Sequence, residues 1–334
     1  MKGNRDKLIY KTTQLTDKIS YNEMMGNPIS RLIYKTKQLA DKVSYNEIRN
    51  KETQNKKTYD KKVKYHFGQL KLFMTELYFL SKYNDLKNAL VLYVGAANGY
   101  HTWYMAKHMF PNFTFHLYDR SKFHNIFYEQ KLDNVKIFPD YFSDKYAEKY
   151  KEHSTRLLYM CDMRDLDVRM FKSDSDTHER IVSKDMVDQM NWAKVMNPVA
   201  SYLKFRLPYD EQYFEYFKGP IYIQPYAPNS TETRILVTNY TETRKYDCKE
   251  FDEKMAYFNF ITRPKTLNTK WNKVIEKHNI LNRWDNICSL YICEYYLKET
   301  KKEKPSRKQV AKLFLDVINF HKEYNDDKYE RIFN

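Results

Sequence analysis

Glycine is scarce in this chain, with six in 334 residues. A fold built on many glycine turns is excluded, so glycines that cluster gain meaning. Cysteine is sparse as well. Cys161, Cys248, Cys288 and Cys293 form no CxxC pair and keep no metal-ligand spacing with the nine histidines, which make no HxxxH or HExxH pattern. No metal site is expected, and the thiols should be free in a reducing compartment. No apolar run approaches the roughly 18 residues of a membrane-spanning helix. The opening MKGNRDKLIY lacks the apolar core of a signal peptide, and no membrane partner is expected.

What is abundant is positive charge and aromatic surface. Lys and Arg number 58 against 43 Asp and Glu, a formal net charge of +15, and aromatics make up 16% of the chain with 31 tyrosines. Basic charge interleaved with aromatic rings suits single-stranded RNA, where phosphates pair and bases stack. An AT-rich coding sequence would enrich Lys, Asn and Tyr too. Hydrophobic residues reach 42%, enough for a substantial core in one large or two modest domains.

Along the chain, residues 8–23 and 32–47 are near copies: LIYKTTQLTDKISYNE matches LIYKTKQLADKVSYNE at thirteen of sixteen positions. Two units are too few for a solenoid. Residues 1–64 read as a duplicated arm with a basic linker, 65–325 as the compact domain and 326–334 as a tail. From Phe67 to Lys82 the apolar positions Leu70, Phe73, Met74, Leu77 and Leu80 keep helical spacing, with Lys71 beside the stripe. Strands are expected at 113–119, 134–138, 156–162, 202–207, 221–226 and 234–240, and helices at 141–152, 184–197 and through much of the chain beyond Pro264. The segment 298–308 reads as an exposed basic loop.

Two of the six glycines fall in LVLYVGAANGYHTWYMAKHM at 90–109: a buried strand, the turn Gly95–Gly99 and a helix. The β-α alternation argues for a doubly wound α/β sheet, whose ligands bind beyond the carboxyl ends of the strands. Gly95, Asp119 and Asp162 should lie on that rim, with the glycines letting backbone approach a nucleotide-type cofactor. The turn is not GxGxxG, and Asp119 falls near the spacing of a ribose-binding acid, so S-adenosylmethionine fits better than NAD.

Further motifs carry a resemblance. GQLK at 68–71, LYMCDMRD at 158–165, NPVASYLKFRLPY at 197–209 and IQPYAPNSTETRILV at 223–237 closely resemble the poxvirus-type cap-specific mRNA 2′-O-methyltransferases, which double as small stimulatory subunits of viral poly(A) polymerases. The likeness runs from about Phe67 to about His321 and leaves out the duplicated arm. It implies a Rossmann-like class I S-adenosylmethionine-dependent fold with extra C-terminal helices. Capped mRNA and the viral poly(A) polymerase catalytic subunit are the implied partners, and the host cytoplasm and virion the implied setting.

The resemblance places the family's catalytic Lys-Asp-Lys-Glu set on Lys71, Asp162, Lys204 and Glu232. An ordinary lysine is protonated at neutral pH and cannot act as a base. A neighbouring cation and burial both favour its neutral form. Lys204 is therefore the expected base, with Lys71 and Arg164 lowering its pKa and Asp162 and Glu232 orienting the lysines and the ribose. Donor binding carries over to Gln69, Tyr93, Gly95, Gly99, Asp119 and Asp162, with Asn98 standing where the family has proline. Cap binding carries over to Tyr209 as a stacking ring, to Asp210 or Glu211 and to Asp252, with Tyr45 or Tyr59 as the second ring. An RNA-binding processivity subunit is the competing class of function. An NAD-dependent dehydrogenase is the weaker third, for want of the full glycine fingerprint and a proton-shuttling histidine set.

Overall fold

The computed structural model describes residues 33–34, 67–165, 175–227, 230–264, 266–324 and 332–333. In chain order its strands are β1 (Ile33–Tyr34), β2 (Leu90–Val94), β3 (Thr114–Tyr118), β4 (Val135–Phe138), β5 (Leu157–Cys161), β6 (Ala200–Phe205), β7 (Tyr213–Phe217), β8 (Ile221–Ile223), β9 (Thr233–Val237) and β10 (Thr243–Asp247). The helices are α1 (Gly68–Lys82), α2 (Tyr100–Tyr104), α3 (Ile126–Glu129), α4 (Asp144–Tyr150), α5 (Ser175–Met196), α6 (Cys248–Tyr257), α7 (Asn272–Lys277), α8 (Trp284–Lys301) and α9 (Arg307–Tyr324).

The main sheet has the order β1-β8-β9-β6-β5-β2-β3-β4. Strands β4, β3, β2, β5 and β6 are parallel, and β9, β8 and β1 continue the sheet in antiparallel pairings. LVLYV in β2 and LLYMC in β5 are buried at every position, as central strands covered on both faces must be. The chain winds outward from β2 to β4, then returns to β5 and winds the other way. The β2–β5 boundary is thus the switch point, where the crevice of a doubly wound sheet opens. This is the doubly wound, Rossmann-like α/β architecture expected from the sequence.

Helix α1 departs from a simple amphipathic stripe. Residues 70–81 are buried on every face, because the sheet covers one side and α8 and α9 the other. Tyrosines make much of this packing. Phe79 stacks on Tyr202 of β6 with ring centres 5.0 Å apart, and Tyr78 sits against Tyr222 of β8 and Tyr295 of α8. Among the described residues the aromatic side chains are therefore largely core material. Among the described residues the exposed large hydrophobics are Tyr128, Tyr141, Val187, Tyr209 and Tyr213.

Several boundaries move. The expected strand 221–226 stops at Ile223, since Pro225 has no N–H to donate and Tyr226 takes φ 61°. The helix expected over 184–197 starts nine residues earlier, through polar residues that show no apolar period. The helix expected over 141–152 shortens to α4 and passes into a 3-10 turn at Lys151–Arg156. The basic loop at 298–308 shrinks to 302–306, because α8 runs to Lys301 and α9 begins at Arg307. The β7–β10 pair was not anticipated, although YFEYF alternates. All four cysteines are buried and free.

Both glycines of the turn answer a backbone requirement. Gly95 has φ +79°, and a Cβ there would lie 2.5 Å from the amide nitrogen of Met163. Gly99 has φ +73°, and its Cβ would lie 2.5 Å from the carbonyl oxygen of Ala96. The Ala97–Asn98 peptide between them is cis. Gly95→Ala combines a positive-φ penalty with a clash against the β5 exit and should cost roughly 2–4 kcal/mol. Urea unfolding measures this, and a loss below about 1 kcal/mol would show that the turn relaxes freely.

Candidate active site

Four elements bring charged side chains together beyond the carboxyl ends of β5 and β6. Lys71 stands in the first turn of α1, Asp162 directly follows β5, Lys204 is near the end of β6 and Glu232 directly precedes β9. Lys71 Nζ lies 2.8 Å from Glu232 Oε1. Lys204 Nζ lies 3.0 Å from Asp162 Oδ1 and 3.4 Å from Glu232 Oε2, and donates to the Asp162 backbone carbonyl at 2.9 Å. The four residues matched through motifs up to 161 positions apart thus form one cluster. Both lysines are only 6% exposed, so bulk water screens these contacts poorly.

A fifth member is Arg234. It is the antiparallel register partner of Lys204, and its Nη2 pairs with Asp162 Oδ1 and lies 3.6 Å from Glu232 Oε1. Arg164, the cation expected beside Lys204, does not take this place. Arg164 instead reaches Asp185 Oδ2 at 3.4 Å, on the α5 side of the loop after β5. Residues two apart on a strand share a face, so the TETR motif already put Arg234 beside Glu232. Gln224 was also missed. Its Nε2 donates to Glu232 Oε1 at 3.0 Å, while its Oε1 is a buried acceptor with no hydrogen-bond partner among the described residues.

Burial alone would raise the carboxyl pKa of Asp162, but Arg234, then Lys204 and Lys71, overrule it and hold it at about 2. Glu232 follows the same pattern: burial raises it, while Lys204, Lys71 and Arg234 bring it well below the usual carboxylate range. Both carboxylates are therefore ionised at neutral pH, and three cations face two anions.

The donor-side residues fall in two groups. Asp119, at the end of β3, accepts the Ala97 N–H at 2.9 Å through Oδ2 and the Ser121 N–H at 2.7 Å through Oδ1. Each oxygen keeps a further lone pair, which suits a ribose diol on the rim. Gln69 is half-buried with its Oε1 on His101 Nδ1, and Tyr93 joins the same buried network. Tyr93 is 1% exposed, and its hydroxyl donates to Glu76. Glu76 and His101 gave no sign in the sequence, each looking like an ordinary helical residue.

The expected cap-side residues lie near one another. Tyr209 is 55% exposed, its hydroxyl 2.7 Å from the Thr231 hydroxyl. One ring face carries the Arg206 guanidinium, 4.0 Å from the centroid. Arg206 forms a bidentate pair with the buried Glu179, which also accepts the Tyr209 N–H at 2.8 Å. Burial raises the pKa of Asp252, with Arg206 opposing that shift and Glu253 adding to it. Asp210 and Glu211 are exposed, and Glu211 accepts from Ser183. Tyr45 and Tyr59 lie outside the described residues.

The sheet order, the glycine turn after β2 and the acid ending β3 define a Rossmann-like fold of the methyltransferase type. The chain belongs to the poly(A) polymerase regulatory subunit family, whose model matches residues 36–322. That match begins inside the second copy of the repeat, earlier than the motifs showed. Among curated proteins, the chain is similar to the cap-specific mRNA (nucleoside-2′-O-)-methyltransferase of fowlpox virus (strain NVSL). The two are 26% identical over 282 residues, covering 76% of this chain and 84% of the relative. It is also similar to the protein of the same name from myxoma virus (strain Lausanne), at 25% identity over 274 residues, covering 77% and 75%.

The ion pairs at Asp162 set a pH window. A carboxyl held below its ordinary 3.8 contributes stability that is fully present above that value and is lost as pH falls toward about 2. Arg234→Met removes the largest of the opposing charges. It should cost roughly 3–5 kcal/mol at neutral pH, the usual effect of breaking a buried pair, and acid unfolding should begin at a higher pH. Circular dichroism across an acid titration reads this, and an unchanged acid limb would show that Arg234 does not hold Asp162 ionised.

Proposed function

We propose that this chain methylates the 2′-hydroxyl of the first transcribed nucleotide of capped mRNA, with Lys204 as the general base. The observation that carries this reading is the single buried cluster formed by Lys71, Asp162, Lys204 and Glu232 at the switch-point rim. The names of the fowlpox and myxoma relatives support the reaction class.

The chemistry follows from the charges. A ribose hydroxyl is a poor nucleophile until its proton leaves. Three cations face two carboxylates, so loss of one lysine proton leaves the cluster neutral. Lys204, held as an ammonium by two carboxylates and a carbonyl, must first release one proton to solvent; the amine lone pair this leaves takes the hydroxyl proton, which restores the ammonium. Lys71 and Arg234 keep Asp162 and Glu232 ionised, so neither acid protonates the base in turn. The unpartnered Gln224 Oε1 supplies an acceptor for a neighbouring sugar hydroxyl. S-adenosylmethionine, when bound, supplies an already activated methyl group, so positioning contributes much of the rate. Asp119 would hold its ribose, and Gln69 with the Gly95–Gly99 turn would flank the rest.

At the cap, Tyr209 offers its free ring face to a methylated, cationic guanine. The Arg206 charge on the opposite face is neutralised by Glu179, so it does not repel that base. Asp252 and either Asp210 or Glu211 would accept hydrogen bonds from the guanine edge.

The family model favours a second reading, which need not exclude the first: an RNA-binding stimulatory subunit of a viral poly(A) polymerase. Co-purification with a polymerase catalytic chain, and longer tails in its presence, would support it.

Incubation with labelled S-adenosylmethionine and capped or uncapped RNA tests the main reading. Label should appear on the ribose only when the cap is present. Lys204→Ala should lower turnover by roughly two to four orders of magnitude, and near-normal turnover would remove Lys204 as base. Tyr209→Ala should weaken cap-analogue binding by about tenfold or more in a fluorescence titration, as loss of a stacked aromatic does. Unchanged affinity would remove the cap site.

A further inference from the structure

Beside the donor turn lies a buried hydrogen-bond chain that is separate from the lysine–carboxylate cluster. His101, on α2, is fully buried with both ring nitrogens engaged: Nδ1 lies 2.7 Å from Gln69 Oε1, and Nε2 lies 3.0 Å from Glu76 Oε2. The Thr102 hydroxyl lies 3.2 Å from the same Nε2. The other Glu76 oxygen accepts the Tyr93 hydroxyl at 2.6 Å. Glu76 itself is 3% exposed.

Counting protons along this chain fixes its direction. An amide oxygen is only an acceptor, so Nδ1 must carry a hydrogen and donate it to Gln69. The contact between Nε2 and Glu76 then needs one further proton, shared on that line. Neither arrangement lets His101 accept from Gln69. With Oε1 engaged by the ring, the Gln69 NH2 group is turned away from His101 and is the donor the amide offers another partner. Gln69 is two residues from Lys71 on the first turn of α1, half-buried where the donor turn meets the cluster. Glu76 meanwhile ties Tyr93, and with it the end of β2 that leads into Gly95.

We propose that His101 and Glu76 are positioning residues of the methyl-donor site: they orient Gln69 so that its NH2 faces an acceptor group of the donor, and they anchor Tyr93 under the turn. This rests on the methyl-transfer reading above. Burying a charged or proton-sharing pair is costly unless every hydrogen bond is satisfied, and here each nitrogen and both carboxylate oxygens have partners. The arrangement makes Gln69 a donor of fixed direction, a preorganised contact that needs no reordering when the ligand arrives.

The test is calorimetric titration with S-adenosylhomocysteine. His101→Asn keeps a donor near the Nδ1 position, whereas His101→Gln keeps one near Nε2 and loses the bond to Gln69. Gln69→Glu still accepts from His101 but has no NH2. His101→Gln and Gln69→Glu should each weaken binding by about tenfold or more, while His101→Asn stays within about threefold of the parent protein. Melting temperatures of the two His101 variants should fall alike, and cap-analogue affinity should not change. Parent-like binding by His101→Gln and Gln69→Glu would overturn the proposal. Equal losses in both His101 variants, tracking their melting temperatures, would overturn it too, since that is plain structural damage. If the unmodified protein fails to bind S-adenosylhomocysteine at all, the methyl-transfer reading itself falls and takes this inference with it.

Discussion

Two buried cations sit directly opposite each other on adjacent antiparallel strands, and the site depends on how that conflict is resolved. Lys204 and Arg234 are register partners, so their side chains leave the same face of the sheet. Like charges directly opposite destabilise a strand pair even at the surface, and the penalty grows where water is excluded. The β6–β9 pairing is tenable because Asp162 and Glu232 stand between and beside the two cations. Asp162 comes from the exit of β5, the other neighbour of β6, and Glu232 from the residue entering β9. Strand order and charge balance therefore require each other. The sheet delivers the carboxylates, and the carboxylates permit the strand register that brings the cations together.

The C-terminal helices contribute no residue to this cluster, yet they hold its frame. Gln224, which fixes Glu232 from behind, accepts Arg263 Nη2 at its backbone carbonyl at 3.1 Å. Arg263 also pairs with Asp285 in the first turn of α8, and Asp285 accepts the Tyr226 N–H at 2.8 Å. The segment after β8 is thus bound to α8 both through a buried guanidinium and directly at Tyr226. On the other side α8 and α9 cover α1, the helix that carries Gln69, Lys71 and Glu76. The helices appended to the doubly wound core act as a clamp on the two elements that meet at Glu232.

How much of this was legible in the chain varies with the physical signal. The parallel strands announced themselves as short apolar runs ending in Gly95, Asp119 or Asp162, because central strands are covered on both faces. Lys71, Asp162, Lys204 and Glu232 came from motif resemblance, and no periodicity would have joined positions so far apart. Arg234 was readable from strand alternation and was passed over in favour of Arg164, which is closer to Asp162 in sequence but turned toward Asp185. Glu76, His101 and Glu179 were beyond reach, since each lies on a helix where its type is ordinary and its partners come from distant segments. Composition misled in one respect. Among the described residues most of the tyrosines that suggested base stacking fill the core, where burial raises the pKa values of Tyr93, Tyr159, Tyr202 and Tyr226.

Among the described residues few tyrosines are exposed, so those few are informative by location, and of them Tyr209 is attached to the cluster. Its hydroxyl meets Thr231, the residue before Glu232, and its backbone N–H meets Glu179, which holds Arg206 against the ring. The ring is thus fixed at three points, one of them a single residue from a member of the charged cluster. A base stacked on its free face would have its distance from Lys204 set by this short path. In the proposed reaction that geometry makes the cap a ruler. The ribose that reaches Lys204 is the one whose linkage to the stacked base spans the gap between Tyr209 and the β6–β9 rim. Selection of the first transcribed nucleotide would then follow from the short Tyr209–Thr231–Glu232 connection, with no need for the protein to read the sequence of the RNA.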